Sequence, residues 1–528
     1  MAAMEAKLER EIDKASSMPL ETIFSASSGV ASSPALQGVL TLFAVAGFLY
    51  FFTKDGLYPG FPLIRMEDKA PMSWAKAQKE WNANAHRIVK KGLEQVKGGF
   101  QVITAIGPRI ILPNKFAEEI RNDPHLSFSE GISKEFFSEY PGFEAFKVIK
   151  ERDILQEVTR IKLTQSLNFI TEDLAEEASS AFKDTIGDDA EWKEITFKPA
   201  VMELVARLSS RVFIGPEGCA NKEWLAIFKQ YTVDSFAAAR DLRTWSPLLR
   251  PTVHWFLPSC RQLRREMRAA RRIVEPIIAA RRAGAAGGKA AKTADAIGWM
   301  DECARGRPFD VAAAQLTLAV AATHTTTDLA ALAVFQLCAR PEWFAALRAE
   351  VVEVLGRDGW RKAALQRLRL MDSFVKETQR LQHETRAALT RLAKQEVTLS
   401  DGTVIPRNSM LMVATEKAMD PAVFPDAEAF DGRRFLDMRE RPGQENRWQL
   451  VTSSVEHLGF GHGTHACPGR FFSANEIKVL LIFMLMKYDW KFPDGQGMPE
   501  MGRFAMEKIV STQAKLLVRR RKEEIALD

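Results

Sequence analysis

The run from Phe309 to Cys338 is the dominant helical candidate of the chain, and it constrains the fold more than any other feature. At about 1.5 Å per residue, thirty helical residues span about 45 Å, enough to cross the whole body of a domain. Arg340-Pro341 follows, where proline disfavours further helix. Other helices are expected from Ser73 to about Lys91, from about Glu144 to Thr185, over Glu342–Leu355 and over Leu370–Gln382. Strand signals are fewer. Residues 99–113 read as a strand pair with a Gly-Pro turn, and Glu396 to Ile405 as a hairpin turning at Asp401-Gly402. The fold expected is mainly α with a small β component. Arg281 to Lys292, rich in Gly and Ala, reads as a solvated loop between helices. No internal repeat is evident.

Apolar residues make up 46% of the 528 and charged residues 27%, a globular balance. With 73 basic against 67 acidic residues the net charge is only +6, too weak to argue for nucleic acid as a partner. The five cysteines, 219, 260, 303, 338 and 467, are scattered and give no disulfide framework, which points to a reducing compartment.

Leu36 to Phe52 is almost free of polar residues. With its neighbours Ala35 and Thr53 it reaches about nineteen residues, close to the ~20 that span a bilayer, and suits a thinner membrane such as the endoplasmic reticulum. No Lys or Arg lies between Met18 and Pro34, whereas Lys54, Arg65 and Lys69 follow the span. The positive-inside bias then leaves the large C-terminal part in the cytosol. The expected organisation is a polar segment 1–35, a single-pass anchor 36–53, a Pro/Gly hinge 54–72 containing Tyr58-Pro-Gly-Phe-Pro62, and one large catalytic domain 73–528.

The stretch richest in chemistry is Phe460-Gly-His-Gly-Thr-His-Ala-Cys-Pro-Gly-Arg470, a glycine-dense loop with one cysteine ahead of a helical run. Gly463 and Gly469 are expected to let the backbone turn tightly and approach a flat cofactor. Backbone N–H groups near Cys467, and the N-terminus of the following helix, are expected to favour a thiolate. A single thiolate suits an iron porphyrin, where it pushes electron density toward the metal and favours O–O cleavage. Two other readings stand beside this one. One is a structural cysteine in a turn. The other is zinc held by His462, His465 and Cys467, for which no C-x-x-C pair supplies further ligands.

The pattern Phe460-x-x-Gly463-x-His465-x-Cys467-x-Gly469 resembles the haem-binding motif of cytochromes P450, with His465 where a basic residue is usual. In Ala321-Ala-Thr-His-Thr-Thr-Thr327, the residues Ala321, Ala322 and Thr325 share a helix face. Two alanines leave room over a flat cofactor. The Thr325 hydroxyl can donate to iron-bound dioxygen, or can bond a carbonyl one turn back and open a groove for water. The segment resembles the family's oxygen-activation element A-G-x-D/E-T-T, with Ala322 in place of Gly and His324 in place of the acid. His324 titrates nearer neutrality than a carboxylate. It is a candidate proton relay, or else a contact to backbone or substrate.

Glu377-Thr-Gln-Arg380 alone would read as a solvated pair on one helix face. The family resemblance instead joins Glu377 and Arg380 to Arg434, in Phe430-Asp-Gly-Arg-Arg-Phe435, as a buried network with a folding role. It also implies that Arg391 and His465 pair with haem propionates. Arg160 is a third candidate, although Gln156 stands where the family's W-x-x-x-R pattern has Trp.

Longer phrases sharpen the resemblance. They include Leu370-Met-Asp-Ser-Phe-Val-Lys-Glu-Thr-Gln-Arg380, Asn475-Glu-Ile-Lys478, Trp245-Ser-Pro-Leu-Leu-Arg-Pro251 and Trp255-Phe-Leu-Pro258. Together they are similar to fungal microsomal members of the ent-kaurene oxidase type, which commonly tailor terpenoids, meroterpenoids and indole alkaloids. The resemblance implies the cytochrome P450 fold around haem b (iron protoporphyrin IX), with Cys467 as axial iron ligand. It implies a monooxygenase fed with electrons from NADPH by NADPH–cytochrome P450 reductase, with cytochrome b5 as a further partner and membrane lipid around the anchor. It implies a hydrophobic small-molecule substrate, in a largely apolar pocket lined in part by Glu384–Thr390. Two alternatives keep the haem: an isomerase or dehydratase acting on a peroxide without dioxygen, and a non-catalytic haem sensor. Thr325 argues against the first.

Overall fold

A computed structural model describes residues 56–67, 73–151, 153–286, 294–382 and 387–527, together with Thr41. The expected anchor 36–53 lies outside the described residues apart from Thr41, as does most of the polar segment before it. The chain divides into two units. The larger comprises Gly56–Thr244 and Thr252–Asp528. The described part of the smaller is Thr41 and the Trp245–Pro251 turn, in which Trp245, Leu248 and Leu249 are exposed.

The larger unit is mostly helical. Its main helices are α1 (Trp74–Gln95), α2 (Ala117–Ile120), α3 (Thr164–Thr185), α4 (Phe197–Phe213), α5 (Lys222–Arg243), α6 (Pro258–Ala286), α7 (Val311–Ala339), α8 (Arg369–Gln382), α9 (Arg434–Arg439) and α10 (Arg470–Lys487). Ser73 caps α1 by accepting from the Lys76 N–H, and Asp310 caps α7 by accepting from Ala313 at 2.9 Å. α7 is the expected central rod. It packs on α4, α5, α6, α8 and α10, and its Ala-, Leu- and Val-rich surface is buried on nearly every side. Among the described residues it is the one helix long and apolar enough to cross a membrane, but it sits inside the protein core.

A five-stranded sheet packs against α1, where Trp81, Ala85, Ile88 and Val89 meet Phe100, Val102 and Ile111. Its strands are β1 (Phe100–Thr104), β2 (Gly107–Leu112), β3 (Leu126–Ser127), β5 (Ala387–Ala393) and β8 (Met410–Ala414), in the order β1-β2-β8-β5-β3. Only β2 and β8 run parallel. The smaller pairings involve β4 (Lys193–Thr196), β6 (Val397–Thr398), β7 (Val404–Ile405), β9 (Tyr488–Lys491), β10 (Gly502–Phe504), β11 (Glu507–Ile509) and β12 (Lys515–Arg520).

Four expectations need correction. The tract Glu144–Thr185 is not one helix. It breaks into Glu144–Lys150, Asp153–Glu157, a π-helical segment Val158–Leu163, and α3. The turn of the first hairpin is Ala105-Ile106, and Gly107-Pro108 opens β2 instead. Residues 281–286 of the expected Gly/Ala loop continue α6, and the remainder of that loop up to 292 lies outside the described residues. The Pro/Gly stretch after the expected anchor is no free hinge, because the Gln101 side chain bonds Tyr58 N–H and the Tyr58 and Phe61 carbonyls. Ile64 N–H and the Pro62 carbonyl pair with the Gln101 backbone, so this segment is fixed to the edge of the sheet.

Candidate active site

The cysteine loop is held from three directions. Within the loop, Cys467 N–H donates to the Phe460 carbonyl at 2.7 Å, and Phe460 packs against the main core. Gly463 has φ +72°, and a Cβ there would lie 2.6 Å from Asn122 Oδ1 and 2.8 Å from the Arg121 carbonyl. Only glycine suits both the backbone sign and the close approach. Asn122 Oδ1 in turn accepts from Thr464 N–H at 2.7 Å and from its hydroxyl at 2.8 Å, which fastens the loop to the end of α2. Gly469 differs from expectation. Its φ is an ordinary −90°, and it serves as the residue before α10. The left-handed partner of Gly463 in this loop is Gly461, at φ +69°.

Cys467 is half-buried, and burial pushes its thiol up from the ordinary value. The Gly469 N–H, the Arg470 charge and the Arg470 N–H oppose that rise, since all three favour the thiolate. A bound cation would add to them and deprotonate a coordinating thiol outright.

The zinc reading finds no support in the geometry. His462 is turned away, with Nε2 3.1 Å from Glu118 Oε1 and Nδ1 3.3 Å from the Ser453 hydroxyl. Among the described residues no cluster of three His, Cys, Asp or Glu side chains is arranged to hold a metal. His465 lies against the Phe128 ring at 6.3 Å between centroids.

On α7, Ala321 and Thr325 are exposed although the helix around them is buried. The Thr325 hydroxyl donates to the Ala321 carbonyl at 2.8 Å. The neighbouring Thr326 hydroxyl is 3.4 Å from that of Ser473 on α10, which brings the middle of α7 next to the helix that follows the cysteine loop. His324 does not share the Thr325 face. It is turned toward Lys198 and the Lys229 carbonyl, and its buried Nε2 has no hydrogen-bond partner among the described residues. Burial and the Lys198 charge lower its pKa, against the Lys229 carbonyl, which favours the protonated ring. Lys198 itself pairs with Asp328 at 2.7 Å.

Arg391 sits on β5 just after a bulge that begins at Ala388, where Leu389 adopts φ +53°. Bulges re-aim side chains, and this one leaves Arg391 only 2% exposed. Arg160 lies in the π-helical segment and donates to the Thr464 carbonyl of the cysteine loop. The residues present fit a haem: a thiol with two backbone N–H groups directed at it, an exposed small-residue face on a buried helix, and a buried arginine suited to a carboxylate.

The structure brings Glu377, Arg380 and Arg434 together. Glu377 and Arg380 are fully buried and doubly bonded, each contact 2.8 Å long. Arg434 Nε reaches Glu377 Oε1 at 3.0 Å, and its remaining donors go to the Pro425, Asp426 and Ala429 carbonyls. Arg380 also donates to the Ala418 carbonyl. Gly432 abuts Phe374 and Trp343 so closely that a Cβ would lie 2.9 Å from each.

A second buried cluster on α8 was missed from the sequence. Asp372 accepts from Lys478 at 2.7 Å and from the Leu450 N–H at 2.8 Å, with Arg439 3.5 Å away. Lys376 donates to the Gln449 and Thr452 carbonyls. The signal was an Asp and a Lys four apart on one face of the helix. A groove of about 390 Å³ between α6 and the start of α7 contains none of these residues. Its last lining residue on α7, Ala312, lies about 20 Å along the helix from Thr325.

Comparison with known proteins agrees with this geometry. The cytochrome P450 family model matches residues 115–518. Cytochrome P450 monooxygenase bsc2 of Alternaria brassicicola is 41% identical over 497 residues, covering 92% of this chain and 94% of the relative. Cytochrome P450 monooxygenase adrA of Penicillium rubens is 42% identical, covering 88% and 92%. Cytochrome P450 monooxygenase easM of Aspergillus fumigatus is 38% identical, covering 94% and 98%. The matched range 115–518 spans the cysteine loop, α7 and the Glu377–Arg380–Arg434 network, and the chain belongs to the cytochrome P450 family, as an oxygen-incorporating haem-thiolate monooxygenase.

Proposed function

We propose that this monooxygenase inserts one oxygen atom of dioxygen into a hydrophobic small molecule of fungal secondary metabolism, of terpenoid or related type, with Cys467 as the axial ligand of haem b. The observation that carries the reading is the Cys467 loop, with the Gly469 and Arg470 N–H groups favouring the thiolate. Haem supplies the oxygen-activating chemistry when bound. Thr325 holds a hydroxyl on the exposed face of α7, where its oxygen can accept a hydrogen bond while it donates to the Ala321 carbonyl, and can donate a proton once rotated off that carbonyl. Ala321 keeps that face low. Arg391 pairs with one propionate, His465 with the other, and Arg160 braces the loop through the Thr464 carbonyl. Glu377, Arg380 and Arg434 hold the fold behind the loop.

Electrons come from NADPH through NADPH–cytochrome P450 reductase, with cytochrome b5 as a further donor. Residues 36–53 anchor the chain once in the endoplasmic reticulum membrane and leave the domain from residue 73 onward in the cytosol. The apolar composition of the 36–52 run and the basic residues after it support this placement. The decisive test supplies the full-length protein in microsomes with a matched reductase, NADPH and ¹⁸O₂, together with candidate terpenoid scaffolds. One ¹⁸O per product molecule, dependent on NADPH, is expected. Product formed without NADPH, or without label, would identify an isomerase or dehydratase instead.

A further inference from the structure

The buried side chain of Lys376 takes no part in the Glu377–Arg380–Arg434 network, although it precedes Glu377 directly. It is 1% exposed. Its ammonium donates to the Gln449 carbonyl at 2.8 Å and the Thr452 carbonyl at 2.9 Å, and lies 5.3 Å from the centre of the Phe435 ring. Two donors therefore meet carbonyls and the cation meets a π face.

Between those two carbonyls the chain is held twice more. Leu450 N–H donates to Asp372 Oδ2 at 2.8 Å, one helical turn before Lys376. The Val451 carbonyl accepts from Arg470 Nε at 3.1 Å. The same guanidinium donates from Nη1 to the Cys467 carbonyl at 2.9 Å. The Lys376 backbone carbonyl adds a contact to His457 Nε2 at 3.4 Å, at the approach to the cysteine loop. Apart from the turn's own Thr452 N–H to Gln449 carbonyl bond at 3.0 Å, the backbone polar contacts of 449–452 lead either to α8 or to Arg470, and Arg470 leads to Cys467.

We propose that Lys376 is a positioning residue for the axial thiolate: it clamps the 449–452 turn to α8, and the turn sets the cysteine loop through Val451, Arg470 and the Cys467 carbonyl. The proposal rests on the reading of Cys467 as the ligand. Burial alone explains neither the choice of lysine nor its partners. A buried ammonium is costly unless its donors are used, and an apolar side chain would fill the same space without that cost. Asp372 lies on the same helix and favours the charged form. Arg439, from α9, and burial both disfavour it, and its pKa falls to about 7. Either protonation state keeps two N–H donors for the two carbonyls.

The test compares the full-length haem protein with Lys376→Met and Lys376→Arg. Methionine keeps the volume and removes every donor, which takes the ammonium from the Thr452 carbonyl and leaves the Gln449 carbonyl with only the Thr452 N–H of its own turn. Arginine keeps charge-assisted donors. Two readouts are taken on each: the fraction of the reduced carbon monoxide complex with the red-shifted Soret band of thiolate ligation, and amide hydrogen exchange of residues 449–470. Lys376→Met is expected to lose at least half of the red-shifted fraction and to exchange at least tenfold faster in that segment. Lys376→Arg is expected to recover most of both. Ser209→Ala serves as a control for general destabilisation. It removes the 2.6 Å bond to the buried Glu476 at a site outside this chain of contacts, and is expected to leave the band fraction unchanged.

If Lys376→Met yields too little folded protein, Lys376→Gln, which keeps two shorter donors, is measured in its place. A smaller loss of the same two signals is expected of it. An unchanged band fraction and unchanged exchange in either variant overturns the proposal. So does an equal loss of band in Ser209→Ala. Failure of the ligand reading is separate, since it appears as a red-shifted band that survives Cys467→Ser.

Discussion

The Thr325 hydroxyl donates to the carbonyl of Ala321, 2.8 Å away and one turn back on α7. The bond occupies the Ala321 carbonyl with a side chain and keeps the hydroxyl on the exposed face of a helix that is otherwise buried. Hydroxyls at Thr317 and Thr323 make the same back-bond, at 2.9 and 2.7 Å. Both are buried, so only Thr325 combines this geometry with an open face.

Thr325→Ala should therefore fold, bind haem and bind substrate, while the coupling of NADPH to product falls about tenfold, equivalent to about 1.4 kcal/mol in partitioning. Peroxide released per NADPH should rise to match, and Thr325→Ser should recover most of the coupling. Full coupling in the alanine variant would remove Thr325 from proton delivery.

His324 points at Lys198 and the Lys229 carbonyl, away from the Thr325 face, and its pKa lies below the usual histidine value. A lowered folded value means that the unfolded chain binds the extra proton first. The contribution of His324 to stability is thus present above the unfolded pKa of about 6.5 and is lost as pH falls through the lower folded value. In thermal melts, His324→Gln should flatten the loss of stability below pH 6.5. If His324 is the relay that replaces the family's acid, His324→Ala should also release peroxide as Thr325→Ala does. Altered regiochemistry with unchanged peroxide would assign it to substrate contact.

Glu476 gives the opposite sign. It is fully buried on α10, accepts from the Ser209 hydroxyl at 2.6 Å, and is pushed up to about 8 by burial. Its contribution is greatest below the unfolded pKa of about 4.5 and declines as pH rises toward 8. Glu476→Gln should cost little at pH 5 and should stabilise by on the order of 1 kcal/mol or more at pH 8. Parallel pH–stability curves for the two proteins would show that the carboxyl is not held neutral.

In the Glu377 network the carboxylate is the shared acceptor and the two arginines have carbonyl partners besides. Glu377→Ala strands both guanidiniums and should cost about 3–5 kcal/mol, enough to leave little soluble haem protein. Arg434→Lys should be milder. A yield ranking in which Glu377→Ala expresses better than Arg434→Lys would contradict this account of the network.

The parts legible in the sequence were those set by local rules. The central rod, read as Phe309–Cys338 and found at Val311–Ala339, and its stop before Pro341 follow from composition and spacing, whereas the cap at Asp310 was not read. The cysteine loop followed from glycine density and the single cysteine. What stayed hidden depends on contacts distant in sequence. Asp372 and Lys376 looked like ordinary helix-surface charges because the 449–452 turn that satisfies them lies about 75 residues away. The π-helical register at Val158–Leu163 has no clear local cue, and it decides where Arg160 points. His324 was read by its place in a motif, yet helix geometry and the Lys198–Asp328 pair turn it to another face.

The central claim is that Cys467 is the axial thiolate of a haem, and the most direct measurement is the reduced carbon monoxide difference spectrum of the parent protein and Cys467→Ser. The parent should show the red-shifted Soret band. Serine is a poorer and mostly protonated ligand at neutral pH, so the variant should lose that band entirely. An unchanged red-shifted band in Cys467→Ser would contradict the assignment.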